Sequence, residues 1–237
     1  MRKNSRMVLR SVSVYAIICS LMMSSILDGQ VRLLLSAAIS PMYRVFRKYQ
    51  YVRSLALCVH HGYSNPYIVE SLKKQGPTFL DELSSNVYYS PVNNPNYKNN
   101  GINEALTVLD AIRFFKFEPD DMVVKITGRY FLQQDNFLKI VENNPEIDAF
   151  VKIDEFGNVF TAGFAMRCYH MEEMYASMDY EHMEKDWSLV EYEVGFFIKR
   201  KLQTNGFRVM YLDTLGLEAH LLGSTTAANN PKNIVFH

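Results

Sequence analysis

The chain has 237 residues, of which 48% are hydrophobic and 21% are charged. This composition is that of a globular protein with a sizeable core and excludes a disordered chain. The 25 basic and 25 acidic residues cancel, so no overall charge draws the protein to nucleic acid. The three cysteines form no Cys-x-x-Cys pair, which excludes a disulfide scaffold and a zinc ribbon.

The N-terminal segment differs in charge from the rest of the chain. The first 53 residues hold nine Arg and Lys and a single acidic residue, Asp28. Residues 11–27 carry no charge, and this run is at the lower limit of the roughly 17–25 residues that span a membrane. A signal-anchor, a cleaved signal peptide, a helix on the membrane surface and an ordinary buried helix stay open for it.

The next residues continue this segment. Residues 31–39 are mostly apolar, and residues 43–49 mix aromatic side chains with cations. Such a mixture suits the headgroup region of an anionic leaflet, and a linker helix packed on the domain is the alternative. We therefore predict that residues 1–52 form a hydrophobic or amphipathic helical extension that anchors to, or associates with, a membrane. The protein would be single-pass or peripheral through residues 11–50.

The rest of the chain alternates predicted strands and helices. Apolar and β-favouring runs predict strands at 54–60, 86–90, 122–127, 149–153 and 208–212. A hairpin joins residues 149–153 to residues 159–161. Helical spacing predicts helices at 67–74, 103–115 and 187–202. Alternation of this kind is typical of a layered α/β domain, here residues 53–237.

One segment, Lys125-Ile126-Thr127-Gly128-Arg129-Tyr130, stands at the carboxyl end of a predicted strand. In open α/β sheets, ligands bind in the crevice beyond those ends. Side chains alternate along a strand, so Lys125, Thr127 and Arg129 would point to one side. Two cations and a hydroxyl in one crevice suit a diphosphate, and Gly128 would admit a ligand or a neighbouring backbone. A surface strand end with solvated cations is the alternative.

A second candidate lies in the loop that opens the helix at 103–115. Asn99, Gly101 and Asn103 precede or begin this helix, and the free N–H groups of a helix start attract anions. Asn103 could equally be a helix cap.

A third candidate is a carboxylate on the helix at 187–202. At about 100° per residue, Glu191 falls on the apolar face with Val190 and Val194, whereas Glu193 falls off it. A carboxylate on a core-facing side is paired or faces a cleft, and the second arrangement suits a general base. The first would pair Glu191 with an internal cation such as Arg167.

Other residues give weaker signals. His60 and His61 end the predicted strand at 54–60, and Asp213 and His220 flank the one at 208–212. No His, Asp and Glu cluster has a metal-ligand spacing, and no Ser or Cys stands in a nucleophile motif.

Taken in order, these features resemble the GT-A-fold glycosyltransferases. The resemblance covers about residues 53–222 and is carried by His60-His61-Gly62-Tyr63, Asn99 to Ala105, Lys125 to Tyr130, Thr161 to Arg167, and Glu191. The chain is similar in particular to sugar transferases of bacterial and viral surface-glycan pathways that carry a Lys-Ile-Thr-Gly-Arg-Tyr segment. The resemblance implies an α/β fold with a mixed, mostly parallel sheet and a nucleotide-sugar donor at its carboxyl edge.

Residue roles follow from the same resemblance. Glu191 would deprotonate an acceptor hydroxyl in an inverting transfer to a glycan or lipid-linked acceptor. The donor-binding residues would be His61, Gly62, Asn99, Gly101, Lys125, Thr127 and Arg129. Secondary or acceptor-side residues would be Arg167, Glu193, Asp213 and His220.

The chain departs from this family in one respect. Many GT-A enzymes carry Asp-x-Asp where this strand ends in Lys125-Ile126-Thr127, and the pair Asp120-Asp121 precedes the strand. A divalent metal, Mg²⁺ or Mn²⁺, is therefore not indicated, although its use stays open, and cations could neutralise the diphosphate. Two alternatives to a glycosyltransferase also stay open: a nucleotidyltransferase on a related α/β sheet, and a noncatalytic membrane-anchored binding protein.

Overall fold

The structure is a computed structural model that describes residues 29–39, 44–73, 75–154, 157–204, 206–220 and 234–236. Within these residues, the strands in chain order are β1 Val31–Ala37, β2 Tyr67–Glu70, β3 Val87–Tyr89, β4 Met122–Thr127, β5 Tyr130–Leu132, β6 Ala149–Val151, β7 Gly163–Arg167, β8 Val209–Tyr211, β9 Leu217–His220 and β10 Ile234–Phe236. The α-helices in the same residues are α1 Arg44–His60, α2 Asn100–Phe115, α3 Asn136–Asn143, α4 Cys168–Ala176, α5 Tyr180–Asp186 and α6 Val190–Leu202. A 3₁₀-helix spans Phe79–Glu82.

Seven strands form one mixed sheet in the order β3-β2-β1-β4-β7-β6-β8. The pairs β3–β2, β2–β1, β1–β4 and β6–β8 are parallel, and β7 runs antiparallel to both of its neighbours. A three-stranded antiparallel sheet, β10-β9-β5, begins three residues after β4 ends. This arrangement confirms the predicted α/β domain with a mixed, mostly parallel sheet.

The two faces of the sheet are covered by different helices. Leu34 of β1 packs with α2, α4, α5 and α6 in one apolar cluster. Leu33 and Leu35 pack with α1 and α3 in the other. The alternation follows from the two-residue period of a strand, and a strand buried on both faces is apolar throughout. The result is a three-layered α/β domain with β1 near its centre.

The start of the domain differs from the prediction. Residues 54–60 form the second half of α1, not a strand, because a short apolar run has no periodicity that distinguishes a strand from a buried helix. The first strand is β1, which lies in the predicted extension and pairs with both β2 and β4. Part of the interval 31–52 therefore belongs to the same core as the rest.

Two other predictions change in detail. Residues 67–70 form β2 rather than the start of a helix, because their backbone pairs with β1 on one side and with β3 on the other. The helix predicted from Trp187 starts at Val190, since Trp187 has a left-handed backbone (φ 54°) and ends α5. The predicted strands at 86–90, 122–127, 149–153 and 208–212 and the helix at 103–115 are confirmed.

The predicted membrane segment, residues 11–27, lies outside the described residues. Among those that are described, no helix has the length and apolarity needed to cross a membrane.

Candidate active site

A cleft of about 440 Å³ opens at the carboxyl ends of the parallel strands. Ser36 of β1, Ser71 after β2 and Thr127 of β4 line it, together with the first turns of α2. This is the edge at which open α/β sheets bind ligands. The other lining residues are Ala37, Ala38, Arg47, Tyr51, Leu72, Asn93, Pro95, Tyr97, Asn100, Asn103, Glu104, Thr107 and Arg129.

The floor of the cleft is built around Lys125, which is 1% exposed. Its Nζ donates to Thr127 Oγ1 at 2.9 Å and to the Thr161 carbonyl at 2.7 Å. It also donates to Glu104 Oε1. An ammonium group has three N–H donors, and these three acceptors use all of them. Lys125 therefore has no donor left for a ligand, and the predicted contact with a diphosphate is not retained.

Glu104 is the carboxylate that neutralises this buried cation. Its Oε1 also accepts from Thr127 Oγ1 at 3.0 Å and from Ser36 Oγ at 3.2 Å. Burial alone would raise the pKa of Glu104, but Lys125, Thr127 and Arg129 more than offset this, so its pKa is lowered. Glu104 is thus an ionised group at the cleft wall.

Arg129 is the cation of the predicted segment that stays available. It lines the cleft, and among the described residues it forms no ion pair. Gly128 beside it is required by packing, since a Cβ there would meet the Tyr51 ring at 2.9 Å and the Ser36 carbonyl at 3.1 Å. The predicted close approach at Gly128 is made by Tyr51 and β1.

A second cation reaches the cleft from α1. Arg47 lines it and donates to Gln50 Oε1 at 3.0 Å. Between the two cations, Tyr51 accepts from the Ala38 N–H at 2.7 Å and donates to its carbonyl at 3.1 Å. Burial raises the pKa of Tyr51 to about 12, while Arg47 and Arg129 oppose the rise. Both cations therefore act on the same part of the cleft.

The predicted base, Glu191, lies on the first turn of α6. Its Oε1 accepts from Thr161 Oγ1 at 2.8 Å, and the Thr161 carbonyl accepts from Lys125. Glu191 is half-buried and is thus connected to the cleft floor through one residue. Burial raises the pKa of Tyr130, with Glu104 and Glu191 adding to the rise and Arg129 opposing it. These three charged groups therefore lie within electrostatic range of the same tyrosine.

The alternative predicted for Glu191, an ion pair with Arg167, is not formed among the described residues. Arg167, the cation proposed as its partner, donates instead to the carbonyls of Asp120 and Pro145. It pairs with Met122 at the amino end of β4, so it lies at the opposite edge of the sheet. Glu193 accepts from Ser188 Oγ at 2.7 Å and makes no contact with Thr161.

The predicted loop at the start of α2 is partly structural. Asn99, not Asn103, is the helix cap: its Oδ1 accepts from Gly101 N at 3.0 Å, and its Nδ2 donates to the Met183 and Ser188 carbonyls. A Cβ at Gly101 would meet Val190 at 3.3 Å. Asn99 and Gly101 therefore join α2 to α6, while their neighbours Asn100 and Asn103 line the cleft.

Four other predicted residues, besides Arg167, do not join the site. His61 contacts the Leu132 carbonyl at 2.9 Å, and Gly62 follows α1 with φ 97°. Both precede β2, at the amino ends of the strands, because the segment before them is a helix and not a strand. Asp213 is exposed in the loop between β8 and β9. His220 ends β9, opposite Ile234, and its side chain is outside the described part of the chain.

Several residues of the cleft were not predicted. Ser36 and Ala38 were missed because β1 had been assigned to the extension. Glu104 was not assigned a role, although a Lys within an apolar strand signals a buried carboxylate partner. Glu70 at the end of β2 is fully buried and accepts from the N–H groups of Ile39 (3.0 Å), Leu72 (2.8 Å) and Lys73 (3.0 Å). It thereby fixes the two backbone segments behind the cleft.

No metal centre accompanies these groups in the described part of the chain, where no three His, Cys, Asp or Glu side chains are grouped to hold an ion.

The fold is similar to that of a solved synthase, and two solved glycosyltransferases give weaker alignments. A 4-diphosphocytidyl-2C-methyl-D-erythritol synthase aligns with a TM-score of 0.52 and 13% identity, over 85% of this chain and 96% of that chain. Galactosyltransferase LgtC, in complex with donor and acceptor sugar analogues, has a TM-score of 0.45 and 13% identity, over 76% and 72%. Glycosyltransferase GlyE of Streptococcus pneumoniae TIGR4 has 0.42 and 8%, over 76% and 46%.

At these identities the similarity concerns the fold and not the reaction. Neither a family model nor a curated protein sequence matches this chain.

Proposed function

We propose that this chain is a glycosyltransferase that moves a sugar from a nucleotide-sugar donor to a glycan or lipid-linked acceptor. The observation that carries the proposal is the pairing of a cationic cleft with a carboxylate beside its floor. Arg129 lines the cleft without an ion pair among the described residues, and Glu191 is connected to the floor by Thr161.

The cleft is suited to the donor's diphosphate. The first turns of α2 line it through Asn100 and Asn103, and the N-terminus of a helix favours an anion. Arg129 adds a guanidinium that can bind phosphate oxygens through two N–H groups. Charge that develops on the leaving nucleoside diphosphate would be stabilised by these fixed groups.

Glu191 is the proposed general base. In the transfer, the acceptor oxygen forms a bond to the anomeric carbon while the bond from that carbon to the diphosphate breaks. The acceptor proton passes to Glu191, and the nucleoside diphosphate leaves with the electron pair. Such a single displacement inverts the configuration of the sugar.

A second candidate is nucleotidyl transfer, which is favoured by the fold similarity to the 4-diphosphocytidyl-2C-methyl-D-erythritol synthase. In that reaction an oxygen of the second substrate attacks the α-phosphate of a nucleoside triphosphate, and pyrophosphate leaves. A Gly-rich loop with a basic residue would be expected directly after the first strand. Residues 38–43 read Ala-Ile-Ser-Pro-Met-Tyr, with neither glycine nor a cation, so glycosyl transfer is the better supported of the two.

The test incubates the purified chain with a panel of nucleotide sugars and, separately, with nucleoside triphosphates and sugar phosphates. It measures nucleoside diphosphate released from the first set and pyrophosphate released from the second. Glu191→Gln should lower diphosphate release about 10²–10⁴-fold, the usual effect of a general base. Glu193→Gln is the matched control on the same helical turn and should retain activity. Equal losses from both variants would contradict the assignment of Glu191. Pyrophosphate release, or binding without any turnover, would contradict glycosyl transfer itself.

A further inference from the structure

Helix α1 carries an apolar stripe that faces solvent. Val45, Tyr49, Val52 and Val59 are 87%, 54%, 37% and 49% exposed, and Ala56 is exposed between them. Their spacings of four, three, four and three residues place all five within about 80° of the helix surface. An outward-facing helix surface is ordinarily polar, so a continuous apolar stripe there is a feature that needs a partner.

The opposite side of α1 fixes this orientation. Tyr51, Leu55 and Cys58 are 3%, 5% and 0% exposed in the core beneath the sheet. Ser54 is also buried and donates to the Tyr130 carbonyl at 3.0 Å. Because this face is held by packing and hydrogen bonding, α1 cannot rotate the stripe inwards without losing its contacts with the core.

The charged residues of α1 itself are all basic. Helix α1 contains Arg44, Arg47, Lys48 and Arg53 and no acidic residue, and none occurs anywhere between residues 29 and 69. Lys48 is exposed on one flank of the stripe. Arg53 is on the other flank, 34% exposed, where it forms an ion pair with Glu218 at 3.7 Å.

We propose that this stripe docks on an anionic lipid surface, with α1 lying in the plane of the headgroups. The valine and alanine side chains of the stripe would enter the boundary of the acyl chains, and Tyr49 would lie at the headgroup level. Lys48 and Arg53 on the flanks of the stripe would contact lipid phosphates. A second copy of α1 fits less well, because two such helices would bring like charges together without carboxylates to pair them.

Membrane docking through α1 would place the bilayer on the outer side of this helix. Its inner side lines the cleft through Arg47 and Tyr51, so the bilayer and the cleft would lie about one helix diameter apart. The docking itself is independent of the proposed function, because vesicle binding is measured without any nucleotide sugar.

The experiment measures co-flotation of the full chain with phosphatidylcholine vesicles that contain or lack phosphatidylserine. Val45→Asp combined with Val52→Asp should weaken binding to the anionic vesicles at least about tenfold, and Lys48→Gln about fivefold. The matched control combines Phe196→Asp with Tyr211→Asp, which are 63% and 51% exposed elsewhere on the protein. It removes as many apolar groups and adds as many charges, and should bind as the unmodified chain does.

A direct measurement follows the stripe itself. Tyr49→Trp in a Trp187→Phe background has a single tryptophan, whose emission should shift to the blue when anionic vesicles are added. Unchanged binding of the Val45→Asp and Val52→Asp variant, or no shift from position 49 in the vesicle-bound protein, would overturn the proposal. The proposal would also be overturned if the Val45→Asp and Val52→Asp variant altered only the oligomeric state or the melting temperature. Another copy, or another part of the chain, would then cover the stripe.

Discussion

The floor and the rim of the cleft use cations in opposite ways. On the floor, Lys125 is buried and gives all three of its N–H groups to protein oxygens. At the rim, four residues later, Arg129 lines the open space and has no ion pair among the described residues. Both were predicted to bind a diphosphate. The difference teaches that burial, not sequence position, divides this segment into a part that builds the site and a part that can bind.

The largest effect expected from this division is on stability. Lys125→Met would leave the Glu104 carboxylate and the Thr161 carbonyl without their buried partner, which costs about 3–5 kcal/mol of unfolding free energy. Denaturant unfolding would measure it. Lys139→Met, which removes an exposed cation paired with Asp135, should change little. Adding Glu104→Gln to Lys125→Met should restore part of the lost unfolding free energy. A Lys125→Met protein as stable as the unmodified chain would contradict the structural role assigned to Lys125 on the cleft floor.

A smaller effect is expected where the floor meets Glu191. Thr161→Val keeps the backbone carbonyl that accepts from Lys125 and removes the hydroxyl that donates to Glu191. With Glu191 less well oriented, sugar transfer should slow about tenfold. Donor affinity, measured by titration, should stay the same. The control is Ser188→Ala, which removes the corresponding hydrogen bond to Glu193. Equal slowing of sugar transfer in both variants would contradict the idea that Thr161 orients Glu191.

The smallest predicted effect concerns the wall behind the cleft. Burial raises the pKa of Glu70, although the backbone N–H groups of Ile39, Leu72 and Lys73 oppose the rise. At a pH between the pKa of the unfolded carboxyl and the raised pKa, Glu70 is therefore protonated to a greater extent in the folded protein than in the unfolded chain. Between the ordinary carboxyl pKa and the raised one, stability should fall as pH rises, on the order of 1 kcal/mol per pH unit. Glu70→Gln should lack that slope in unfolding curves, and an identical slope would show that Glu70 does not titrate there.

The sequence predicted the strands whose patterns are local. Residues 122–127 and 149–153 are short apolar runs that contain β4 and β6, strands with a neighbour on each side in the sheet. Their buried environment follows from their apolar composition. The helical spacing also predicted different surroundings for Glu191 and Glu193, because the faces of a helix follow from a fixed angle per residue. Only the first of these two carboxylates contacts Thr161.

Errors arose where the outcome depends on distant partners. The apolar run at 54–60 continues α1, whose buried face is set by packing on β5 and the sheet. Residues 31–37 carry the same apolar signal as a membrane segment, and only their pairing with β2 and β4 makes them a strand. Lys125 looked free because its partners, Glu104 and Thr161, lie 21 and 36 residues away in sequence.

The most direct test of the account is the affinity of the cleft for a nucleotide sugar. The donor that most raises the melting temperature in a thermal-shift panel would be titrated calorimetrically into the unmodified chain, Arg129→Met and Arg208→Met. Arg208 is an exposed control at the amino end of β8, beside Asp148. Arg129→Met should weaken binding about tenfold to a hundredfold with little change in melting temperature, and Arg208→Met should bind normally. Equal affinity in all three proteins would contradict the assignment of this cleft as the donor site.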